Sequence, residues 1–345
     1  MSKNIVFCAD GTWDHPKSPQ GVTAEDTNVY KLFNCLATSA TQVRFYDDGV
    51  GAGGLPIEHL VGGAFGTGLW QKIKNGYTAL AHVYERGDRI FIFGFSRGAY
   101  TARSLAGMVS VCGLPTQNFD QNLIDVAFNA YRDKDDRAAL LASLAKYGMD
   151  DAKITMLGVW DTVGALGIPA IFGENDPILY GFLDTGLHPD VLNAYQALAI
   201  DERRCEFKPT LWTTPPAPGQ TMEQVWFAGV HCDVGGSYPE TGLSSITLDW
   251  MLTKAIENGI EIAPTALTYE TLDPKAAIDT IHESWNLLWA FPVRRSIPDD
   301  ATIANSVAIR MNTETGYRPP NLKPNLAGYA TAQVVEVPKA MAAGN

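Results

Sequence analysis

The sequence predicts an α/β fold, in which a doubly wound and mainly parallel β-sheet carries helices on both faces. Several short runs, among them Ile5–Cys8 and Ile90–Phe93, are apolar at every position rather than at every second one. Such runs are typical of strands buried on both faces of a parallel sheet. Segments with apolar residues at helical spacing lie between the runs, as in Trp70–Arg86. This alternation with short connections favours a parallel sheet covered on both sides.

The elements follow one another without an internal repeat, a low-complexity tract or a clear linker, so we predict one domain over residues 1–345. The predicted strands are Ile5–Cys8, Val43–Tyr46, Arg89–Phe95, Lys153–Trp160, Phe207–Trp212 and Val225–Val230. The predicted helices are one capped by Asp26–Asn28, then Trp70–Arg86, Ala99–Val111, Leu123–Tyr147, Val191–Ile200 and residues 244–258. Residues 164–187 are apolar but broken by Gly and Pro, which suits a lid, a pocket wall or a long packed loop. Residues 327–345 are expected to fray.

Composition narrows the class of protein and its partners. Hydrophobic residues make up 46% of the chain and charged residues 19%, as in soluble globular proteins, and no apolar run approaches the ~20 residues of a membrane span. The first apolar run, Ile5–Ala9, is too short for a signal peptide, which predicts a cytoplasmic protein and leaves leaderless export open. Five scattered cysteines without a Cys-x-x-Cys motif argue against disulfides or structural zinc. The net charge of -12 argues against nucleic acid as a partner.

The strand Arg89–Phe95 runs directly into Gly94-Phe95-Ser96-Arg97-Gly98, and a helical segment follows at once. A Gly-x-Ser-x-Gly sequence between a buried strand and a helix has the form of a nucleophile elbow. In that turn the serine hydroxyl is raised above the edge of the sheet. Glycine suits both flanking positions because strand and helix approach each other closely there. Ser96 is therefore the candidate nucleophile.

Four residues that can do chemistry follow directly after predicted strands: Asp10, Ser96, Asp161 and His231. The carboxyl ends of parallel strands lie at one edge of a sheet, where ligands bind in α/β folds, so these side chains are expected to converge. Three of them also occur in the chain order Ser, Asp, His, which is the order in α/β-hydrolases.

Each member of such a set has a separate chemical task. A serine hydroxyl needs an imidazole to take its proton, and the imidazole needs a carboxylate to orient it. We assign these tasks to Ser96, His231 and Asp161, with His282 as the rival base. Backbone N–H groups must stabilise the oxyanion.

We expect the first of those N–H groups at Arg97, the residue after the nucleophile, and the second at Gly11 or Thr12. Asp10 and Asp233 are predicted to lie next to the catalytic residues and to support them without reacting themselves. The prediction includes no cofactor and no bound metal, and the substrate is a small-molecule or lipid ester. The oligomeric state stays open.

Two other functional classes stay open. Asp10, Asp161, His231 and Asp233 together would offer oxygen and nitrogen ligands to a divalent cation, as in a metal-dependent phosphoesterase, although no compact ligand motif such as His-Glu-x-x-His occurs. Alternatively, the fold serves as a non-catalytic binding module. The complete Ser, Asp and His set argues against that alternative.

Several blocks of the sequence fit one family pattern. They are Asp10-Gly11-Thr12-Trp13, Thr27-Asn28-Val29, Gly94-Phe95-Ser96-Arg97-Gly98-Ala99, Trp160-Asp161-Thr162-Val163, Ala197-Leu198-Ala199-Ile200-Asp201-Glu202, Gly229-Val230-His231-Cys232-Asp233-Val234-Gly235-Gly236 and Tyr317-Arg318-Pro319-Pro320. Over about residues 3–322 the chain resembles the α/β-hydrolase domain family that includes the catalytic domain of bacterial type VI secretion phospholipase effectors. The resemblance implies an α/β-hydrolase fold and esterase or lipase activity, with phospholipids among the candidate substrates. It also implies that Ser96, Asp161 and His231 form the triad. The chain departs from the pattern at Gln196, where a histidine is common.

Overall fold

The structure is a computed structural model. It describes residues 2–11, 18, 21–48, 64–117, 119–164, 186–264, 274–286, 289, 291–314 and 316–335. Its strands are β1 (Asn4–Ala9), β2 (Gln42–Asp47), β3 (Arg89–Phe95), β4 (Leu114–Pro115), β5 (Met149–Asp150), β6 (Ile154–Trp160), β7 (Asn193–Ala199), β8 (Thr221–Phe227), β9 (Thr302–Ala304) and β10 (Ala330–Ala332). Its helices are α1 (Asn28–Cys35), α2 (Ala64–Val83), α3 (Arg97–Cys112), α4 (Gln121–Arg132), α5 (Arg137–Leu144), α6 (His231–Gly235), α7 (Gly242–Glu257) and α8 (Asn305–Thr313).

Within the described residues, eight strands form one sheet in the order β10-β9-β8-β7-β6-β3-β1-β2. Every pair of neighbours in that sheet is parallel. The short strands β4 and β5 form a separate antiparallel pair. Because all eight strands run the same way, the segments that follow them leave from one edge. That edge is where the candidate residues lie.

The sheet is buried on both faces, as the continuous apolar runs predict. Along β1, Ile5 and Phe7 belong to the hydrophobic layer that also contains residues of α2, α3 and α4, whereas Val6 and Cys8 belong to the layer that contains residues of α1, α7 and α8. Adjacent side chains of a strand point to opposite faces, so each face carries its own hydrophobic layer. The fold is therefore the predicted α/β-hydrolase-like, mainly parallel sheet with helices on both sides.

Two predicted elements are wrong in type. The segment Val191–Ile200 is not a helix, because Asn193–Ala199 forms β7 between β6 and β8 in the middle of the sheet. Its alanine-rich sequence has high helix propensity, but burial on both faces decides the outcome. The predicted strand Phe207–Trp212 is instead the end of a short 3-10 helix, Cys205–Phe207, followed by irregular chain.

One predicted helix is divided. The segment Leu123–Tyr147 contains α4 and α5, which are separated at Asp133. The Asp133 carboxylate accepts hydrogen bonds from the backbone N–H groups of Asp135 and Asp136, at 3.0 and 3.2 Å. An aspartate that bonds the backbone two and three residues ahead forms a turn in place of another helical turn.

Most of the proposed lid at residues 164–187 lies outside the described residues, as do residues 336–345 of the predicted tail. The described part of that tail contains β10. Among the residues that the structure describes, none of the helices has the length and apolar character needed to cross a membrane.

Candidate active site

The turn between β3 and α3 places Ser96 at the edge of the sheet. Ser96 has φ 59° and ψ -123°, a strained conformation for a residue with a side chain, and Arg97 begins α3 directly after it. A Cβ atom on Gly94 would lie 2.4 Å from the carbonyl oxygen of Gly98, so a glycine at position 94 lets β3 and α3 approach each other closely. Strain of this kind at a polar side chain is characteristic of functional sites.

Ser96, His231 and Asp161 form a buried hydrogen-bonded relay. The Nε2 atom of His231 lies 2.8 Å from Ser96 Oγ, and its Nδ1 atom lies 2.6 Å from Asp161 Oδ2. Ser96 is 6% exposed, His231 3% and Asp161 0%. The two ring nitrogens thus face a hydroxyl on one side and a carboxylate on the other. This arrangement can transfer a proton away from the hydroxyl.

His231 is the first residue of α6 and lies between two aromatic rings. Its ring centroid is 4.6 Å from that of Phe95 and 4.9 Å from that of Phe207. Burial lowers the pKa of His231 and outweighs the opposite effect of Asp161. The imidazole is therefore neutral at neutral pH, which is the form that accepts a proton.

Asp161 follows β6 with a φ of 41°, and its carboxylate is satisfied from several sides. Besides His231, it accepts two hydrogen bonds from Arg295, at 2.5 and 2.8 Å, and one from the backbone N–H of Ala199 at 3.0 Å. Burial by itself would raise the pKa of Asp161, but the charge of Arg295 and the hydrogen bonds outweigh it and lower that pKa. Asp161 is thus held as a carboxylate.

A second carboxylate supports the backbone of His231. Glu202 accepts a hydrogen bond from the backbone N–H of His231 at 3.2 Å and pairs with the Arg204 side chain at 2.8 Å. Burial raises the pKa of Glu202, but its bonds to Arg204 and the charge of that residue bring it down to about 2. The guanidinium of Arg204 in turn lies 3.5 Å from the centre of the Phe207 ring.

Asp10 organises the chain just after β1. Its Oδ2 atom accepts hydrogen bonds from Thr27 Oγ1 at 2.6 Å and from the Tyr46 hydroxyl at 2.7 Å. Its Oδ1 atom accepts one from the backbone N–H of Gly11 at 2.8 Å. Of the residues predicted to donate to an oxyanion, Arg97 lies at the start of α3, Gly11 is bonded to Asp10, and Thr12 lies outside the described residues.

Asp233 and His282 form a separate pair close behind the relay. His282 Nδ1 lies 2.6 Å from Asp233 Oδ1, and His282 Nε2 lies 3.1 Å from Glu240 Oε2. Asp233 also accepts a hydrogen bond from the backbone N–H of Val230, the residue before His231, at 2.9 Å. The rival base His282 is therefore bonded to two carboxylates, whereas His231 faces Ser96.

The four residues considered for a metal site do not act as one ligand set. Asp161 is bonded to an arginine, which repels a cation, and Asp10 and Asp233 are bonded to separate partners. Within the part of the chain that the structure describes, no three His, Cys, Asp or Glu side chains are grouped so as to hold a metal ion.

Comparison with known proteins assigns the chain to a family. Residues 3–254 match the family model described as "T6SS, Phospholipase effector Tle1-like, catalytic domain". The chain belongs to this Tle1-like family. Its match includes Asp10, Ser96, Asp161 and His231, whereas Arg295 lies beyond the matched residues.

Several individual proteins are similar to this Tle1-like chain. The uncharacterized protein YEL023C of Saccharomyces cerevisiae is 31% identical over 240 residues, which are 62% of this chain and 33% of the yeast protein. An uncharacterized protein from Pseudomonas aeruginosa has a TM-score of 0.48 at 17% identity, over 80% of this chain and 48% of that one. The Tle1 effector bound to the VgrG spike has a TM-score of 0.39 at 18% identity, over 70% and 52%. The chain thus spans about a third to a half of these relatives.

Two residues at the site have no signal in the local sequence. Arg295 lies in a stretch with no clear periodicity. Phe207 begins the segment that was predicted to be a strand and is not one. Both reach the site through tertiary contacts with segments far away in the chain.

Proposed function

We propose that this Tle1-like chain is a serine hydrolase that cleaves carboxylic esters through an acyl-enzyme. The observation that carries the proposal is the contact of 2.8 Å between His231 Nε2 and Ser96 Oγ. The other ring nitrogen, Nδ1, lies 2.6 Å from Asp161. A serine at a strained strand-to-helix turn, bonded to a neutral imidazole that is bonded to a carboxylate, matches the needs of acyl transfer.

In this proposal Ser96 attacks the ester carbonyl carbon as its proton passes to His231 Nε2. Asp161 stays ionised and stabilises the imidazolium as it forms. The tetrahedral intermediate then expels the alcohol, which takes the proton from His231, and an acyl-enzyme remains on Ser96 Oγ. A water molecule then attacks the acyl group while His231 takes a proton from it. The second tetrahedral intermediate releases the acid, and His231 returns the proton to Ser96 Oγ.

The oxyanion needs N–H donors that are in place before the reaction. The N–H of Arg97, at the positive end of the α3 dipole, is the proposed first donor. Of the two residues after β1 predicted as the second donor, the Gly11 N–H already donates to Asp10 Oδ1, so Thr12 is the proposed second donor. Asp10 supports this loop by accepting from Gly11, Thr27 and Tyr46.

The proposed substrate class is a lipid ester, with phospholipids first. Support comes from the description of the family model as that of phospholipase effectors. A cytoplasmic location and a single domain also stay predictions.

The first experiment is hydrolysis of p-nitrophenyl esters of graded acyl length by the wild type, Ser96→Ala and Ser143→Ala. Ser143 is an exposed serine on α5 and serves as the matched control. Each protein is assayed with and without EDTA. We expect Ser96→Ala to lose at least about a thousandfold in kcat, with Ser143→Ala unchanged and no effect of EDTA.

Activity that survives Ser96→Ala but is lost with EDTA would overturn the proposal in favour of the metal-dependent alternative. Release of fatty acid from phosphatidylcholine and phosphatidylglycerol vesicles then tests the substrate class. Hydrolysis of soluble esters but of neither vesicle would contradict the phospholipid assignment alone.

A further inference from the structure

A buried arginine binds both oxygens of the relay carboxylate. The Arg295 side chain is 3% exposed, and its two terminal nitrogens bond to both oxygens of Asp161. The same two nitrogens donate to the carbonyl oxygens of Ala199 at 2.9 Å and Phe207 at 2.7 Å. Four bonds from two nitrogens are the result of the planar fork of a guanidinium, which an ammonium group does not reproduce.

These four bonds hold Asp161, the end of β7 and Phe207 in fixed positions relative to one another. Ala199 ends β7 and also donates its own N–H to Asp161, and Phe207 packs its ring against His231. Arg295 therefore fixes the Asp161 carboxylate and the wall of the His231 pocket at the same time. Its own segment lies outside residues 3–254, which match the family model.

The charge of Arg295 acts on the same atoms. His231 Nδ1 and Arg295 Nη2 both contact one oxygen, Asp161 Oδ2. The charged groups around the ring are Asp161, Arg295, Glu202 and Arg204, and they form two ion pairs, Asp161 with Arg295 and Glu202 with Arg204. An unpaired Asp161 would favour the protonated form of His231, whereas the paired Asp161 attracts that proton less.

We propose that Arg295 is a positioning residue that orients Asp161 by its two-point ion pair and, by its charge, weakens the attraction of Asp161 for a proton on His231. The role in catalysis rests on the proposed function above. This assignment of Arg295 adds a residue of the C-terminal third to the site. It also predicts an effect on the His231 pKa that a purely structural arginine would lack.

The test compares Arg295→Met, Arg295→Lys and the control Arg310→Met. Arg310 is another buried arginine, bonded to the carbonyls of Ala277 and Asp279, and has no contact with the relay. The titration of the His231 ring is followed by NMR of histidine-labelled protein, with His231→Gln to assign the signal. The pH profile of kcat/KM on p-nitrophenyl butyrate is measured in parallel.

In Arg295→Met the His231 pKa should rise by about one unit or more, and the acid limb of the profile should move to higher pH by the same amount. Arg295→Lys should keep the His231 pKa within about half a unit of the wild type but lose about tenfold in the plateau rate, because lysine supplies the charge without the fork. Arg310→Met should change neither quantity.

An unchanged His231 pKa in folded Arg295→Met would overturn the electrostatic role. If Arg295→Met does not fold, Arg295→Lys decides, and a plateau rate equal to the wild type would overturn the positioning role. Should the wild type show no hydrolysis that depends on Ser96, the proposed function fails, while the NMR titration still measures the coupling between Arg295 and His231.

Discussion

The ring of Phe207 packs against the ring of His231 nearly at a right angle, with the centroids 4.9 Å apart and the planes at 79°. The guanidinium of Arg204 lies 3.5 Å from the centre of the Phe207 ring, and the Trp289 ring centre lies 5.4 Å from it. Phe207 thus covers part of the His231 ring. The neutral state of His231 depends on this enclosure, since burial is the main cause of its lowered pKa.

Replacing Phe207 by alanine should expose His231 to water. We expect the His231 pKa to rise toward its ordinary value of about 6.5, and kcat/KM at neutral pH to fall about tenfold. The matched control is Phe291→Ala, because Phe291 is 88% exposed. The pH profile of kcat/KM reports both effects. Equal profiles for Phe207→Ala and Phe291→Ala would show that the ring does not shield the imidazole.

The two histidines near the site should respond very differently to the same change. His231→Gln should lower kcat by about a thousandfold or more, because His231 is the base that contacts Ser96 Oγ among the residues that the structure describes. His282→Gln should lower kcat by less than about tenfold, since His282 is bonded to Asp233 and Glu240, and Asp233 in turn accepts from the Val230 backbone rather than from the relay. Ester hydrolysis by the two purified variants provides the comparison. A loss in His282→Gln as large as in His231→Gln would reverse the assignment of the base.

His282 should also make stability depend on pH. Burial lowers its pKa, but the hydrogen bonds to Asp233 and Glu240 and their charges outweigh burial and raise it. A histidine whose pKa is raised by folding stabilises the protein below its unfolded pKa, and the stabilisation is lost as the pH rises through the folded pKa. The difference in the free energy of unfolding between the wild type and His282→Gln should therefore be larger at pH 6 than at pH 9. Urea denaturation at both values measures it, and a difference that grows with pH would contradict the ion pair.

Gly98 allows α3 to begin against the end of β1. A Cβ atom there would lie 2.2 Å from the carbonyl oxygen of Ala9 and 2.4 Å from that of Asp10. Both contacts are with backbone, which does not yield easily, so Gly98→Ala should destabilise the fold by about 3 kcal/mol. Activity should fall about a hundredfold because Ser96 moves with the helix. Gly316→Ala, where a Cβ has no heavy atom within 4 Å, is the control for both measurements.

Asp10 should matter for the site through the loop after β1. The Asp10 carboxylate accepts hydrogen bonds from the hydroxyls of Thr27 and Tyr46 and from the N–H of Gly11. In Asp10→Asn one of its two oxygens becomes an amide nitrogen, which cannot accept a hydrogen bond. We expect a loss of about 1–3 kcal/mol in stability and about tenfold in kcat, as the loop after β1 moves. Asp125→Asn, which changes an exposed aspartate bonded to Lys74, is the matched control. Thermal melting and ester hydrolysis distinguish the two variants, and identical kcat values would remove Asp10 from the supporting set.

The strands that positioned the site were predictable because their signal is local. The run Ile90–Phe95 has no polar side chain and lies within β3, and the glycines beside Ser96 indicate the tight turn that follows. The prediction of a helix over Val191–Ile200 was wrong because its alanines and leucine suit both a helix and a buried strand. Pairing on both sides, with β6 and β8, decides the matter, and that pairing is not visible in ten residues.

The sequence by itself determined the α/β architecture, the turn that carries Ser96, and the strand ends that carry Asp161 and His231. It could do so because burial on two faces and a close approach of backbones leave marks in adjacent residues. Only the tertiary structure decided which histidine faces Ser96 and which groups surround Asp161. Those contacts join residues 135, 70 and 134 positions apart, and they depend on the order of the strands in the sheet. Arg295 is the clearest case, since its contact with Asp161 follows from how the chain folds back and not from its neighbours in sequence.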